Sequence, residues 1–269
     1  MDNLNAYFGL LTEPFSKELP AKNLFITAQL KTLFERLTTL LKRRGMALIT
    51  GEVGSGKSTA IRAFAERLDK KQIDFIYVAD PTVGMRGIWR TISGGLALQA
   101  AYFKWQMMSE IKAAIEKNYH DYGKTTVVVI DEAQLLKLSE LEELRLFTNY
   151  RIDSHSPLTL ILLAQPEFSR QIRLKALEAF TQRLVFRMHL TGLTEKEAHA
   201  YVKHQLDVAG RTDTLFTDDV VTEIFQQAKG VPRIINTLCY ECLMQTYLTQ
   251  KNIVDMPTLE KVMIEYDGL

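Results

Sequence analysis

The chain has 269 residues, 46% apolar and 24% charged, an ordinary globular balance with length for one large domain or two modest ones. Its 33 basic and 32 acidic side chains leave a net charge of +1, which excludes global attraction to nucleic acid and requires any such binding to use a local basic surface. Two cysteines exclude a disulfide framework and fit a reducing, cytoplasmic setting; no apolar run approaches the ~20 residues of a membrane span, and the N-terminus lacks a signal-peptide pattern.

Residues 1–27 carry Tyr7, Phe8, Leu10, Leu11, Phe15, Leu24, Phe25 and Ile26, too many large apolar groups for a disordered tail, and Pro14 and Pro20 break them into short pieces. Leu30, Leu33, Phe34, Leu37, Leu40 and Leu41 mark one face of a helix, closed by Lys42-Arg-Arg-Gly45. Residues 1–45 are thus expected to form a leader and a helix packed on the following core. Met46–Thr50 reads as a strand, Gly51-Glu-Val-Gly-Ser-Gly-Lys-Ser58 as GxxxxGKS, and Thr59–Leu68 as a helix. That strand–loop–helix context identifies a P-loop rather than a chance glycine cluster. Ile73–Ala79 is a second strand. Helices follow from near Arg86 to Gly94-Gly95 and from Lys104 to Tyr119. Thr125–Ile130 and Leu158–Leu163 are continuous apolar runs, as in strands buried on both faces of a parallel sheet, and Leu184–Leu190 is a shorter fifth strand. Strands alternating with helices define an α/β sheet covered on both faces, over residues 46–191. From residue 192 to 269 the strands stop, and four helical patterns form a small all-helical domain, the first opened by a capping box at Thr194-Glu-Lys-Glu197.

The chemistry is carried by few residues. Glycines let the P-loop backbone wrap a phosphate, and Gly51, Glu52, Val53, Gly54, Ser55, Gly56, Lys57, Ser58 and Thr59 are the expected ATP-binding set. Lys57 reaches the β- and γ-phosphates and the Ser58 hydroxyl sits on Mg²⁺. Asp131, at the end of a buried strand, holds Mg²⁺ through water, and Glu132 has the reach to polarise an attacking water, which points to hydrolysis. Gln165, just after the fourth strand, is placed to orient that water. Phosphoryl transfer also needs cations: Arg183 precedes the fifth strand, Arg233 opens a helix of the small domain, and Arg173 and Arg187 are weaker candidates. Cys239-Tyr-Glu-Cys242 lies within a helical pattern without a second pair, so it reads as two buried thiols rather than a zinc site; His199 and His204, five apart, do not share a helix face. Trp89, Tyr102, Phe103 and Trp105 could stack on bases, but such aromatics more often pack, and they are read as packing.

Together these residues resemble the AAA+ ATPases, and within them the ExeA-like group, which is echoed by Tyr7-Phe-Gly-Leu-Leu-Thr-Glu-Pro-Phe15, Gly51-Glu-Val-Gly, Asp131-Glu-Ala-Gln134, Gln165-Pro-Glu167 and Gly230-Val-Pro-Arg233. One departure is Ala164, where that group more often has glycine. The resemblance implies a three-layer P-loop NTPase sandwich with a five-stranded, mostly parallel sheet and a C-terminal helical lid. It also implies Gln165 as sensor 1, Arg183 as an arginine finger acting in a neighbouring subunit, and Arg233 as sensor 2. The group divides into secretion ATPases with a membrane anchor and short transposition helpers of the TniB, TnsC and IstB kind. A chain of 269 residues without a span favours the helper: an ATPase that assembles with itself as a ring or helical filament on duplex DNA and recruits or activates a transposase. By analogy of position, Thr82, Arg86, Arg90, Lys104 and Lys137 are its expected phosphate contacts. The alternatives are the ExeA/GspA-type secretion or envelope-assembly ATPase and a P-loop kinase of a small molecule, the latter disfavoured by Glu132 and the GxPR motif.

Overall fold

The computed structural model describes residues 2–16, 20–150 and 156–267; the expected spans at residues 1, 17–19, 151–155 and 268–269 lie outside them. The chain divides into two compact units, one of residues 28–53 and 57–190, the other of residues 1–27, 54–56 and 191–269. In chain order the helices are α1 (Asp2–Phe8), α2 (Ala28–Arg43), α3 (Lys57–Ala65), α4 (Gly84–Gly95), α5 (Lys104–Tyr122), α6 (Leu138–Phe147), α7 (Phe168–Gln171), α8 (Glu178–Thr181), α9 (Glu195–Val208), α10 (Asp218–Ala228), α11 (Pro232–Leu248) and α12 (Met256–Asp267). The strands are β1 (Met46–Gly51), β2 (Ile73–Val78), β3 (Thr125–Ile130), β4 (Leu158–Ala164) and β5 (Leu184–Leu190).

The first unit is an α/β sandwich. Its sheet has the order β2-β3-β4-β1-β5, and every pairing is parallel, sharper than the mostly parallel sheet expected. β1, β3 and β4 are apolar on both faces because both faces are covered: every residue of β1 and β4 is buried, whereas β5 at the edge alternates. The period of two sends Met46, Leu48, Val128, Ile130, Leu160 and Leu162 to a core shared with α4, α5 and α6. Trp89 on α4 is fully buried there, its ring 4.3 Å from that of Phe147, and its indole N–H donates to Glu143 Oε1 at 2.8 Å. α2 contacts β5 and α3 contacts β1, with Phe34 stacked on Phe64 at 6.0 Å. Because β1, β4 and β3 are adjacent and in register, Thr50 lies beside Ala164 and Ile130 beside Leu162. Their carboxyl ends therefore open on one edge of the sheet, the edge at which open α/β sheets bind ligands.

The second unit is helical. Its core gathers α9 to α12 around residues such as Leu206, Ile224, Leu238 and Leu243. α9 is started by the capping box foreseen at Thr194, whose N–H donates to Glu197 Oε2 at 2.9 Å. The leader expected to pack on the ATPase core belongs here instead. Leu4, Phe8, Leu10 and Phe15 are buried in the helical core. The physical reason is local: Leu11 N–H donates to Ala209 O at 2.7 Å, the Arg211 guanidinium donates to Phe8 O at 2.6 Å, and Tyr7 meets the Tyr247 ring edge-on at 5.2 Å. Only the part from α2 onward goes with the sheet. Among the described residues no helix is long and apolar enough to cross a membrane.

Candidate active site

The P-loop leaves the carboxyl end of β1. Gly54 and Gly56 take φ of 84° and 92°, a region that side chains with a Cβ rarely adopt, so glycine is required for this path. Ser55 Oγ is buried without a partner among the described residues, an orphan that an oxygen-rich ligand would satisfy. Lys57, in the first turn of α3, is buried, and its ammonium donates to Gly51 O at 2.7 Å and Glu52 O at 3.0 Å. Donors, cation and helix start together fit a polyphosphate.

Ser58 Oγ donates to Asp131 Oδ2 at 2.7 Å, and the Tyr77 hydroxyl donates to the same oxygen. Asp131 Oδ1 accepts the Glu132 N–H at 2.8 Å. Asp131 is buried beyond the tip of β3, and its own N–H is tied to Val78 O. The Tyr77 hydroxyl has its pKa pushed well above the phenol range, first by burial and then by the hydrogen bond to Asp131, so it stays a donor. A cavity of ≈ 720 Å³ is lined by Ser58, Arg62, Asp74, Phe75 and Tyr77, among others. No group of three or more His, Cys, Asp or Glu able to hold a metal occurs among the described residues. A hydroxyl and one carboxylate suit Mg²⁺, which keeps waters and substrate phosphates as its other ligands. Ser58 and Asp131 would hold it, and it would supply charge neutralisation between phosphate oxygens.

Glu132 follows in a left-handed conformation, φ 51° and ψ 38°. Its Oε2 accepts from Gln165 Nε2 at 3.3 Å and from Gln134 Nε2, while Gln134 Oε1 accepts the Gln165 N–H at 3.0 Å. Asp131, Glu132 and Gln165 are thus brought together at the tips of β3 and β4. The residues that sequence reasoning missed here are Tyr77 and Gln134. Gln134 stood within the Asp131-Glu-Ala-Gln134 motif but was assigned no task; Tyr77 gave no signal beyond being a polar residue within a strand.

Arg183 is elsewhere. Leu184 pairs with Met46 and Leu190 with Gly51, so Arg183 lies at the amino edge of the sheet. Five strand residues at ~3.3 Å put roughly 17 Å between it and the P-loop edge, beyond contact within one chain. Its guanidinium donates to Thr148 Oγ1 at 3.4 Å. Arg233, in the helical unit, donates its N–H to Gly54 O at 3.3 Å, Gly54 being grouped with that unit. Of the expected DNA contacts, Arg86 and Arg90 are exposed on α4, with Arg86 bonded to Tyr102 O at 3.0 Å and 5.1 Å above the Tyr102 ring. Lys104 is ion-paired with Glu143 at 2.8 Å, and Thr82 is bonded to Asp80. Lys137, at the cap of α6, is exposed and uses its N–H on Glu140. Tyr102, Phe103 and Trp105, expected to pack, are 75%, 56% and 71% exposed.

A parallel sheet with a P-loop after its first strand, and an acidic pair at the tip of the third, defines a P-loop nucleoside triphosphatase. The pattern of the AAA domain family matches residues 38–172, half of the chain, and the chain belongs to that family. It is an AAA+ ATPase, and over 252 residues it is 30% identical to general secretion pathway protein A of Aeromonas hydrophila. The match takes in 90% of this chain but 44% of that protein, so the chain spans less than half the length of this relative. Among solved structures, the ORC2 protein of Aeropyrum pernix in ADPNP–ADP complexes superimposes with a TM-score of 0.70 at 14% identity, over 92% of this chain and 70% of that one. The Aeropyrum pernix ORC1 protein in complex with DNA does so with 0.65 at 17% identity, over 97% and 69%. These two show the shared fold.

Proposed function

We propose that this ATPase is a nucleotide-driven assembly switch serving a secretion or envelope-assembly system of the ExeA/GspA kind. The observation that carries the reading is the 30% identity to general secretion pathway protein A. ATP lies on Gly51–Thr59, with Lys57 on its β- and γ-phosphates, and Ser58 and Asp131 are the residues that would hold Mg²⁺. Glu132 activates the attacking water, Gln165 orients it, and Arg233 senses the nucleotide from the helical unit. Arg183, out of reach of its own P-loop, serves the nucleotide of the next copy. Such a contact is head-to-tail and builds rings or open filaments. Hydrolysis removes the phosphate that the neighbour's arginine grips and loosens the assembly.

The transposition helper is the second reading. Arg86 and Arg90, one helical turn apart and both exposed on α4, favour it, as a sequence-independent contact to duplex DNA phosphates. Lys104, held by Glu143, weighs against a continuous basic surface. Chain length does not separate the two readings, since the relative is itself longer than the match. Light scattering and ATP turnover, each with and without duplex DNA at low salt, decide between them. The secretion reading expects ATP-dependent self-association and turnover that duplex DNA leaves unchanged. Stimulation by DNA that disappears in Arg86→Ala/Arg90→Ala would replace it with the helper.

A further inference from the structure

Glu132 occupies a backbone region that costs a residue with a Cβ about 1 kcal/mol or more, and such a conformation persists only where its surroundings hold it. The backbone is held on both sides, its N–H donating to Asp131 Oδ1 at 2.8 Å and its carbonyl accepting the Leu135 N–H at 2.9 Å, and the side chain is held by two amides. Gln134, in the single 3-10 turn Ala133–Leu135, donates through Nε2 to Glu132 Oε2, and Gln165 Nε2 donates to the same oxygen at 3.3 Å. The other end of the Gln134 amide is also in use, since Oε1 accepts the main-chain N–H of Gln165 at 3.0 Å. That last bond fixes which way round the amide sits. A main-chain N–H can only donate, so the oxygen of Gln134 must face Gln165 and its nitrogen must face the carboxylate. Both donors fall on Oε2, and Glu132 Oε1 has no hydrogen bond to another described residue. A base whose second oxygen is pinned presents its first in a fixed direction, the arrangement in which a third group orients a base.

We infer that Gln134 is a positioning residue for ATP hydrolysis: its amide fixes the Glu132 carboxylate and ties it to the main chain at Gln165, so that the two groups keep one geometry. The inference rests on Glu132 being the water-activating base. Glutamine is suited by length and by its two-sided chemistry. Asparagine is one methylene short of spanning both partners, glutamate would set a carboxylate against a carboxylate, and leucine fills the volume without either bond.

The test compares Gln134→Leu, Gln134→Asn, Glu132→Gln and the Gln134→Leu/Glu132→Gln double variant in the full chain. Expected for Gln134→Leu and Gln134→Asn is a fall in kcat of about tenfold or more, with KM and the Kd of a fluorescent ADP analogue within about twofold. In the Glu132→Gln background, Gln134→Leu should lower turnover no further. Without nucleotide, the urea unfolding midpoints of the two single variants should not add in the double variant, because both act on the same hydrogen bond, Gln134→Leu by removing its donor and Glu132→Gln by removing the charge of its acceptor. Unchanged kcat in Gln134→Leu beside an inactive Glu132→Gln overturns the positioning role alone. Weakened ADP binding with additive midpoints also overturns it, as that is the signature of a merely structural glutamine. Full turnover in Glu132→Gln overturns the base itself, whatever Gln134→Leu does.

Discussion

Ser58 Oγ lies 2.7 Å from Asp131 Oδ2, although 73 residues separate them in the chain. The bond joins the start of α3 to the tip of β3 and brings the P-loop to its acidic partner. Asp131→Asn keeps the shape of that carboxylate and removes its charge. The variant should bind an ADP analogue in EDTA as the parent does. The tightening produced by Mg²⁺ should shrink about tenfold or more, since a charge-assisted partner is lost. Equal Mg²⁺ responses in the two proteins would remove Asp131 from the metal site.

Tyr77 shares the same oxygen of Asp131. Tyr77→Phe should raise the Mg²⁺ concentration for half-maximal turnover by about fivefold, matching a hydrogen bond of ~1 kcal/mol, and leave metal-free nucleotide binding intact. Because burial and Asp131 raise the hydroxyl's pKa, the proton is retained above the usual phenol value near 10. Tyr77 should therefore add no alkaline limb to the activity profile below that pH, which a pH series on parent and variant measures.

Glu132→Gln should reduce ATP turnover by about a hundredfold or more while nucleotide affinity holds, because the base is lost and the charge-neutral amide keeps its outline. An ATP-bound assembly should then persist in light scattering after the parent protein has dispersed. Normal turnover would show that another group activates the water.

Arg183→Ala should lower turnover by about a thousandfold without weakening nucleotide binding, the scale of a lost arginine finger. Since roughly 17 Å of strand separates Arg183 from its own P-loop edge, mixing this variant with Lys57→Ala should restore part of the activity at shared interfaces. An inactive mixture, or full activity of Arg183→Ala at high dilution, would count against a role in the neighbouring copy.

Cys239 and Cys242 are both buried and free. Burial pushes the Cys242 thiol up to about 12 and raises that of Cys239 well above the ordinary value. A raised thiol pKa lowers the thiolate fraction at any given pH, so neither cysteine should react with a thiol-specific reagent at pH 8 until the protein is unfolded. Zinc should leave the melting temperature unchanged. Rapid labelling of the native protein would show that the helical core opens.

Much of this site was readable before any coordinate. Gly51–Ser58 is local in sequence, and its chemistry depends on residue types at fixed spacing. The buried strands β3 and β4 announced themselves as apolar runs because both of their faces are covered, and Asp131, Glu132 and Gln165 follow from where those runs stop. Gln134 and Tyr77 could not be placed at the site, because their contacts with Gln165 and Asp131 depend on which strand tips become neighbours. The order β2-β3-β4-β1-β5 sets that adjacency, and no periodicity encodes it. The leader was misplaced for a related reason. Leu4, Phe8 and Phe15 signal burial, but an apolar residue does not specify which core it enters. Exposed Tyr102, Phe103 and Trp105 show the converse limit, since aromatic composition alone does not distinguish a packed ring from an open one.

The placement of the leader bears on the order in which the protein forms during synthesis. The sheet unit has all of its residues by position 190, whereas the helical unit draws on residues 1–27 and 191–269. Leu4 and Phe8 therefore emerge from the ribosome long before Leu206, Leu238 and Leu243, the groups that share their core. Because domains fold as units during synthesis, Leu4 and Phe8 are sheltered only once the residues after 190 have been made. Chaperone occupancy should accordingly concentrate on the segment around Leu4 and Phe8 until α9 to α12 are made.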